Sequence, residues 1–279
     1  MRESRYRRAA PAPKNKAAAA DPPLSAFDIA LLIAAGLFGG AGNALAGGGT
    51  FFTFPAMLET GLSAVVANAS NAVALYPGRF PSVYAGKREL LQMRSRLARA
   101  VIIAAVGSLA GAWLLLVTKE RVFASLIPWL LLFATLLFAL GGRLVVAMQR
   151  MKPKRGGRGV GVVLGLVFEA AVAVYGGYFG AGAAFMAMAG NAMMGISDVR
   201  QNVALKNLVI TVMTTVSVVT FVVAGAVAWR ETLAMMAGAL PGGYFGARLA
   251  QRLDPVKLRG FILAVGAALT VYYFVKVYF

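Results

Sequence analysis

The chain has 279 residues, of which 59% are hydrophobic and 14% are charged, and its formal net charge is +18. Soluble domains carry about 45–50% apolar and about 25% charged residues, so this composition excludes an ordinary soluble domain. The chain has no Cys and no His, which excludes disulfides, thiol catalysis and the commonest zinc and copper ligands.

The apolar residues come in long blocks rich in Leu, Ala and Val, without the alternation of strands. Because a bilayer leaves no water for open backbone groups, such blocks predict transmembrane helices. The fold class predicted is an all-α, polytopic helical bundle with two homologous halves. We expect about eight spans plus short broken or re-entrant helices.

In the first half, a helix is predicted over 27–46 and ends at the glycine triplet Gly47 to Gly49. The next stretch, 50–60, is too short to cross a bilayer as a helix. A third segment, 63–85, is interrupted near Pro77-Gly78 and Pro81, and two conventional spans follow at 98–117 and 122–148.

The second half repeats this order. A helix is predicted over 160–178, a break at Gly180 to Gly182, a short stretch over 183–194 and a long helix over 197–228. Two spans follow at 232–251 and 256–278. Residues 1–26 are interpreted as a disordered basic cytoplasmic tail, 27–148 as the first membrane repeat, 149–158 as a basic cytoplasmic loop and 159–279 as the second repeat.

Positive charge clusters in the tail, near 86–99 and in the loop 149–158. Lys and Arg favour cytoplasmic loops, where they meet anionic lipid head groups, so all three are predicted on the cytoplasmic side. No nucleic-acid module accompanies this charge, and nucleic acid is not an expected partner. Charge favours parallel halves but leaves inverted halves open, because the cluster Arg248, Arg252, Lys257 and Arg259 fits neither side clearly.

The two glycine breaks are the first candidate for a binding site. Glycine in membrane helices often serves only close packing. A half-helix that begins at membrane depth has a second use, since its free N–H groups and positive dipole end attract anions. Gly48 and Gly49 are therefore candidate substrate-binding residues, with packing as the alternative.

Polar residues inside apolar sequence are the second candidate, because they are costly in lipid and face a cavity or a partner. Arg79, between two prolines, and Lys206 are cations that suit an anionic substrate, with snorkelling to a head group as the alternative. The amides and the serine could instead hydrogen-bond neighbouring helices. The predicted substrate site comprises Gly48, Gly49, Asn68, Ser70, Asn71, Arg79, Gln201, Asn202, Lys206 and Asn207.

Two carboxylates lie in apolar stretches and are candidates for proton coupling. Glu169 sits in mid-segment and is the better candidate, although it could simply pair with a basic residue. Glu59 lies near the end of its stretch, where exposure at the membrane interface is expected. Asp198 is predicted to cap the helix that follows it.

The glycine-rich pattern resembles the sulfite exporter TauE/SafE family of membrane transporters. The resemblance rests on Gly39 to Gly42, on the run from Gly47 to Pro55, on Gly61, and on the polar run Ala67 to Asn71, with a degenerate second copy at 176–207. It covers nearly the whole chain from about residue 27. The second copy departs from the family pattern at Gly180-Ala181-Gly182 and at Met188, where Pro is common.

The resemblance implies export of a small sulfur-containing anion, such as sulfite, sulfoacetate or another sulfonate. Export would cross a bacterial inner membrane and use the proton gradient or the membrane potential. No cofactor and no metal are expected, and oligomerisation is left open. An uncoupled anion channel is the alternative, and an intramembrane enzyme is not expected, because hydrolase signatures, His and Cys are missing.

Overall fold

The computed structural model describes residues 24–150, 158–196, 198–250 and 255–279. These residues form α-helices joined by short connections, with one 3₁₀ turn and no β-strand among them. In chain order the helices are α1 (Ala26–Ala46), α2 (Thr50–Glu59), α3 (Ala64–Leu75), the 3₁₀ turn (Tyr76–Arg79), α4 (Phe80–Ala85), α5 (Lys87–Gln92), α6 (Arg94–Val117), α7 (Glu120–Arg150), α8 (Arg158–Tyr178), α9 (Ala183–Met193), α10 (Val199–Val223), α11 (Trp229–Ala250) and α12 (Pro255–Tyr278).

The predicted class, an all-helical polytopic membrane protein, is confirmed. Within the described residues, five stretches are long and apolar enough to cross a bilayer. Shorter apolar helices lie between these stretches. This combination is the one expected of a bundle of long spans with broken helices between them. The five stretches are Ala26–Asn43, Arg94–Val117, Glu120–Ala147, Val199–Val223 and Arg259–Tyr278.

Both predicted glycine breaks are present. Gly47 ends α1 in the left-handed conformation at φ 75°, and Gly180 and Gly182 both adopt φ 79° before α9. L side chains are strained in this region of backbone space, which explains glycine at these points. The helices that follow, α2 and α9, have 10 and 11 residues and rise only about 15 Å, half a bilayer core.

The short helix α2 lies in the centre of the bundle. Phe51 packs edge to face against Phe138 of α7, and Phe54 against Phe179 at the end of α8. Phe51 and Phe54 are both fully enclosed. A helix that is apolar on every side is expected to be surrounded by protein or lipid, and here it is surrounded by protein.

The third span is made of pieces. Pro77 and Pro81 cannot donate backbone hydrogen bonds, so α3 ends at Leu75 and gives way to the 3₁₀ turn and then to α4. At the other end of α3, the backbone N–H groups of Ala64 and Val65 donate to the carboxylate of Glu120, the first residue of α7. The carboxylate satisfies orphan donors at the start of α3.

Glycines bring α1 and α11 into backbone contact. A Cβ at Gly36 would overlap the carbonyl of Met235, and one at Gly40 would overlap the carbonyl of Ala239. Small residues allow this close approach in membrane helices. The facing positions rise together in both helices, so α1 and α11 run in the same direction.

A second pair, α6 of the first half and α8 of the second, packs in the same way. A Cβ at Gly107 of α6 would overlap Ala173 of α8, and one at Gly111 would overlap the carbonyl of Val174. The helices α6 and α8 therefore also run parallel. In both pairs the first helix of one half packs on a helix from the other half.

The two halves are inverted relative to each other. The helices α7 and α12 are antiparallel, since Arg259 donates to the carbonyl of Phe138 and Tyr278 donates to that of Ser125. Hence α12 ends, and α11 begins, at the end of the bundle where α7 begins. The parallel packing then makes α1 start at that end and α8 start at the other. Corresponding helices α1 and α8 run in opposite directions, the arrangement that charge left open.

The basic end is defined here as the end that carries α5, the start of α6, the end of α7 and the start of α8. Arg248, in the last turn of α11, and Arg259, in the first turns of α12, also lie there. Of the cluster that charge patterning could not place, Arg248 and Arg259 therefore lie at the same end as α5 and the start of α6.

The start of α1 lies at the opposite end of the bundle from the basic end. This differs from the prediction that the tail and the basic loops share one side. The parallel backbone contact with α11 places the start of α1 there, whereas the charges that flank α1 had predicted the other end. The predicted tail lies almost entirely outside the described residues, as do 151–157 of the predicted loop.

Candidate functional site

A cavity of about 610 Å³ lies between the two halves. Its walls come from α1 and α11 on one side, the 3₁₀ turn and α4 on another, and α9 with α10 on the third. The two glycine breaks meet here, because Gly47 and Ala184 both line the cavity and a Cβ on Gly47 would lie 3.5 Å from that of Ala184. The volume is typical of small-molecule sites.

The cavity is cationic. Arg79, Lys206 and Arg248 line it, and no described Asp or Glu does. Asn43, Asn207 and Thr211 add neutral polar groups, and most of the remaining wall is apolar. Cations without neighbouring carboxylates leave positive charge uncompensated in a space of low dielectric, which favours an anionic ligand.

Arg79 is positioned by the break in the third span. The residue ends the 3₁₀ turn between Pro77 and Pro81, and its Nε is buried without a hydrogen-bond partner. Lys206 of α10 is partly buried and close enough to Arg79 for a Coulombic interaction. Among the described residues neither cation forms an ion pair with a carboxylate. Two like charges held together without counter-charge favour an anion that offsets their repulsion.

Arg248 and Tyr244 form part of the rim. The guanidinium of Arg248 lies 4.4 Å from the centre of the Tyr244 ring, a cation–π contact, and both side chains are exposed. Arg248 lies at the basic end, as does exposed Ser82 of α4, whose carbonyl accepts a hydrogen bond from Asn207 Nδ2 at 3.3 Å. The rim therefore faces the basic end of the bundle.

Sequence reasoning missed five polar lining residues: Asn43, Ser82, Thr211, Tyr244 and Arg248. Asn43 carried a usable signal, since it is an amide in the last turn of the helix that ends at the first glycine break. Arg248 was noticed only as part of a basic cluster. The direction of α11 places Arg248 at the cavity rather than at a lipid head group.

The first-half amides and serine lie outside the cavity lining. Asn68 Nδ2 donates to the carbonyl of Tyr178 at 3.0 Å, and Ser70 Oγ accepts from the N–H of Ala228 at 2.9 Å. Asn71 is buried, and its Oδ1 has no partner. Asn68 thus makes the contact with a neighbouring helix that was the alternative interpretation, and Ser70 bonds the connection just before α11.

Two second-half amides also lie elsewhere. Gln201 Nε2 donates to Gln92 at 3.4 Å, and Asn202 Nδ2 donates to the carbonyl of Met188 at 3.0 Å. Asn202 also accepts a hydrogen bond from Asn191. Of the ten predicted substrate residues, the structure brings together Arg79, Lys206 and Asn207 at the cavity.

Gly48 and Gly49 are buried beside the cavity but do not line it. A Cβ on Gly48 would contact Ile262 and Phe138, and one on Gly49 would overlap the carbonyl of Gly39. The N–H groups of Phe51 and Phe52 are already used, by the carbonyls of Gly48 and Gly49. This helix start makes close packing contacts, whereas the start of α9 reaches the cavity through Ala184.

The two candidate carboxylates lie in contrasting places. Glu59 is 46% exposed and forms an ion pair with Lys276 at 2.9 Å. Glu169, in α8, has a buried Oε2 without a hydrogen-bond partner. It lines a second, much smaller cavity of about 20 Å³ together with Asn191. The described residues contain no cluster of three or more acidic side chains that could hold a metal ion.

The sequence profile of the family described as "Sulfite exporter TauE/SafE" matches residues 32–273, which is most of the chain. The chain belongs to the TauE/SafE family. It is a multi-pass membrane protein and a membrane transporter, as its family resemblance implied.

Two curated relatives of this TauE/SafE chain are described as probable transporters. The "Probable membrane transporter protein YfcA" of Escherichia coli K12 is 26% identical over 230 residues, 82% of each chain. The "Probable membrane transporter protein" of Haemophilus influenzae is 24% identical over 244 residues, 87% of this chain and 92% of the relative. No solved structure matches the chain.

The residues that carry the TauE/SafE resemblance have a structural explanation. The run from Gly47 to Pro55 makes the first break and the enclosed helix α2, and the run from Ala67 to Asn71 is buried in α3. These residues build the frame around the cavity. The cations that line the cavity lie outside these two runs.

Proposed function

We propose that this transporter exports a small sulfur-containing anion, either sulfoacetate or another sulfonate, or sulfite, across a bacterial inner membrane. The observation that carries the proposal is the cavity of about 610 Å³ lined by Arg79, Lys206 and Arg248 and by no described carboxylate. The family supports transport, and the cavity supports an anion as the transported species.

The cavity chemistry fits a sulfonate or sulfite group. The guanidinium of Arg79 offers a planar fork of donors that matches oxyanions, and its Nε is still unpaired. Lys206 adds a point charge nearby, and Asn207 and Thr211 offer neutral polar groups. The apolar remainder of the wall, including Leu75 and Ile210, would accommodate the carbon atoms of an organic sulfonate.

The arrangement of charges supports export. Basic loops favour the cytoplasm, so the basic end would face inward and contact anionic lipids there. The cavity rim at Ser82 and Arg248 then opens towards the cytoplasm, where the anion would be loaded. Inverted halves suit alternating access. If the two halves exchange conformations, the cavity closes on one side of the membrane and opens on the other.

The proton carrier in this proposal is Glu169. Its unpaired, buried oxygen can take up a proton without breaking an existing hydrogen bond. Glu59 already has a partner, the ammonium of Lys276, at an exposed position. Glu169→Gln should therefore make transport insensitive to an imposed proton gradient, while Glu59→Gln should leave the response intact.

The site is tested by sulfoacetate efflux from vesicles containing the purified protein, alongside sulfite. Arg79→Gln and Lys206→Gln should each raise the apparent KM at least about tenfold, the cost of one charge-assisted hydrogen bond. Arg88→Gln is the matched control, since it removes one exposed cation of α5 outside the cavity. Unchanged KM values for both cavity variants would refute the anion site.

The same vesicles distinguish a coupled exporter from an uncoupled channel. A coupled exporter moves the anion against its own concentration gradient when a proton gradient is imposed. A channel only dissipates the anion gradient, whatever the pH difference. Concentrative flux in the wild-type protein that is lost in Glu169→Gln supports the exporter, and strictly downhill flux supports the channel.

A further inference from the structure

The short helix α9 separates two spaces. One face, with Ala184, Phe185 and Met188, lines the large cationic cavity. The other face contributes Asn191 to the small cavity that holds Glu169. The anion site and the proposed proton site are therefore one helix apart, and α9 is the wall between them.

Glycines in the left-handed conformation flank this wall. Gly182 precedes α9 at φ 79°, and Gly195 follows it at φ 83°. No atom lies within 4 Å of a Cβ built on Gly195, so that end is not confined by packing. A Cβ on Gly182 would lie 3.3 Å from Leu137 of α7, so that end is packed, and the Gly195 end is the one free to adjust its backbone.

A chain of side-chain hydrogen bonds connects the two faces of α9. Asn191 Nδ2 donates to Asn202 Oδ1 at 3.0 Å, and Asn202 Nδ2 donates to the backbone carbonyl of Met188 at 3.0 Å. Asn191 and Asn202 are both buried. The chain starts in the small cavity beside Glu169 and ends on a residue in the wall of the anion cavity.

The surroundings of Glu169 contain little other charge. The helix α6 contributes Arg99, an exposed residue that interacts electrostatically with Glu169. The helix α9 has no charged residue, and α10 contributes Val209 and Met213 to the small cavity. Lys206 of α10 lies on the other side, in the anion cavity. Asn191 is thus the polar neighbour through which α9 can respond to Glu169.

We propose that Asn191 is the positioning residue that transmits the protonation state of Glu169 across α9 to the anion cavity. This inference rests on the proposed function, in which Glu169 carries the coupling proton. An ionised carboxylate only accepts, so it competes with Asn202 for the N–H groups of Asn191. A protonated carboxyl can donate to the Asn191 amide oxygen, which leaves those N–H groups with Asn202.

The small cavity has room for a single water, which could bridge the carboxyl and the amide. Each protonation state therefore favours a different arrangement of Asn191. A change in the orientation of Asn191 alters its hydrogen bond to Asn202. That change in turn alters the hydrogen bond from Asn202 to the Met188 carbonyl. Proton binding and anion binding then change each other's free energy by the same amount, as linkage requires.

The test measures the affinity of the purified full-length protein for methanesulfonate, a probe whose charge is constant over the pH range used. Titration calorimetry across that range should give a wild-type Kd that changes at least about fivefold. In Asn191→Ala the Kd should become independent of pH while methanesulfonate still binds. Asn202→Ser cuts the second link of the chain and should behave in the same way.

Two further variants complete the design. Glu169→Gln should bind with a pH-independent Kd close to that of the wild-type protein at its low-pH limit. Thr214→Val is the matched control in α10, because Thr214 bonds only the carbonyl of Ile210 in its own helix. Its Kd should keep the wild-type dependence on pH.

The outcomes separate this inference from the proposed function. A wild-type pH dependence that survives in both Asn191→Ala and Asn202→Ser overturns the role of Asn191 but leaves anion export standing. A wild-type Kd that does not respond to pH overturns it too, together with the role of Glu169. Absence of sulfonate and sulfite flux from wild-type vesicles would instead refute the proposed function itself.

Discussion

Tyr76 and Thr215 join the two inverted halves through a hydrogen bond of 3.0 Å between their hydroxyl oxygens. Tyr76 begins the 3₁₀ turn of the first half, and Thr215 lies on α10 one helical turn beyond Thr211, which lines the anion cavity. The bond therefore closes the side of the cavity that points away from the basic end. The ring of Tyr76 is also held by edge-to-face contact with Phe80.

Tyr76→Phe and Thr215→Val should each lower the free energy of unfolding by about 1 kcal/mol, the net value of one hydrogen bond. The double variant should cost less than the sum of the two, because both remove the same bond. Thermal melts of the purified protein in detergent measure this cycle. Thr214→Val removes an intrahelical bond only, and strictly additive losses for Tyr76 and Thr215 would contradict a direct link.

The contact between α1 and α11 predicts a large cost for Gly238→Ala. The new Cβ would overlap the carbonyl of Ile33, and neither backbone can move without separating the helices. We expect a loss of about 2 kcal/mol or more, typical of overpacked contacts. Gly260→Ala is the control, since its Cβ meets no atom within 4 Å, and it should be neutral or stabilising. Equal melting temperatures for the two variants would argue against the close helix pair.

Arg248 predicts a kinetic effect rather than a large loss of affinity. Its exposed position on the rim suits long-range attraction of an anion, whereas Arg79 has a buried Nε inside the cavity. Arg248→Gln should slow sulfoacetate association and reduce its dependence on salt, because rim charges act mainly on association rates. Stopped-flow binding at several salt concentrations measures this. An unaltered salt dependence would show that Arg248 does not steer the ligand.

Much of the architecture follows from the sequence because the signals are local. The break at Gly47 and the prolines at 77 and 81 act through the backbone of a few neighbouring residues. The structure shows α1 ending before Gly47, α3 ending before Pro77 and α4 beginning at Phe80, next to Pro81. The two helices that follow the glycine breaks were also expected to be too short to span. Such features depend on φ, on missing N–H donors and on segment length, all of which a sequence states directly.

The candidate site could likewise be predicted from the sequence only in part. A cation in apolar sequence is costly wherever it lies, so Arg79 and Lys206 could be selected without a structure, and both line the cavity. The polar groups of an amide in apolar sequence can be satisfied in two ways, by facing a cavity or by hydrogen-bonding a neighbouring helix. Asn207 lines the cavity, while Asn68 and Asn202 hydrogen-bond neighbouring backbone, and only the position of the partner helix distinguishes them.

By itself the sequence determined that this protein is a helical membrane protein of two similar halves, each broken by glycine, with buried cations suited to an anion. The tertiary structure alone decided that the halves are inverted and that Arg248 joins Arg79 and Lys206 around one cavity. The physical reason is that helix direction is set by long-range backbone contact, such as Gly36 against Met235. The sequence displays the flanking charges and the glycines themselves, but it does not show which glycine faces pack together.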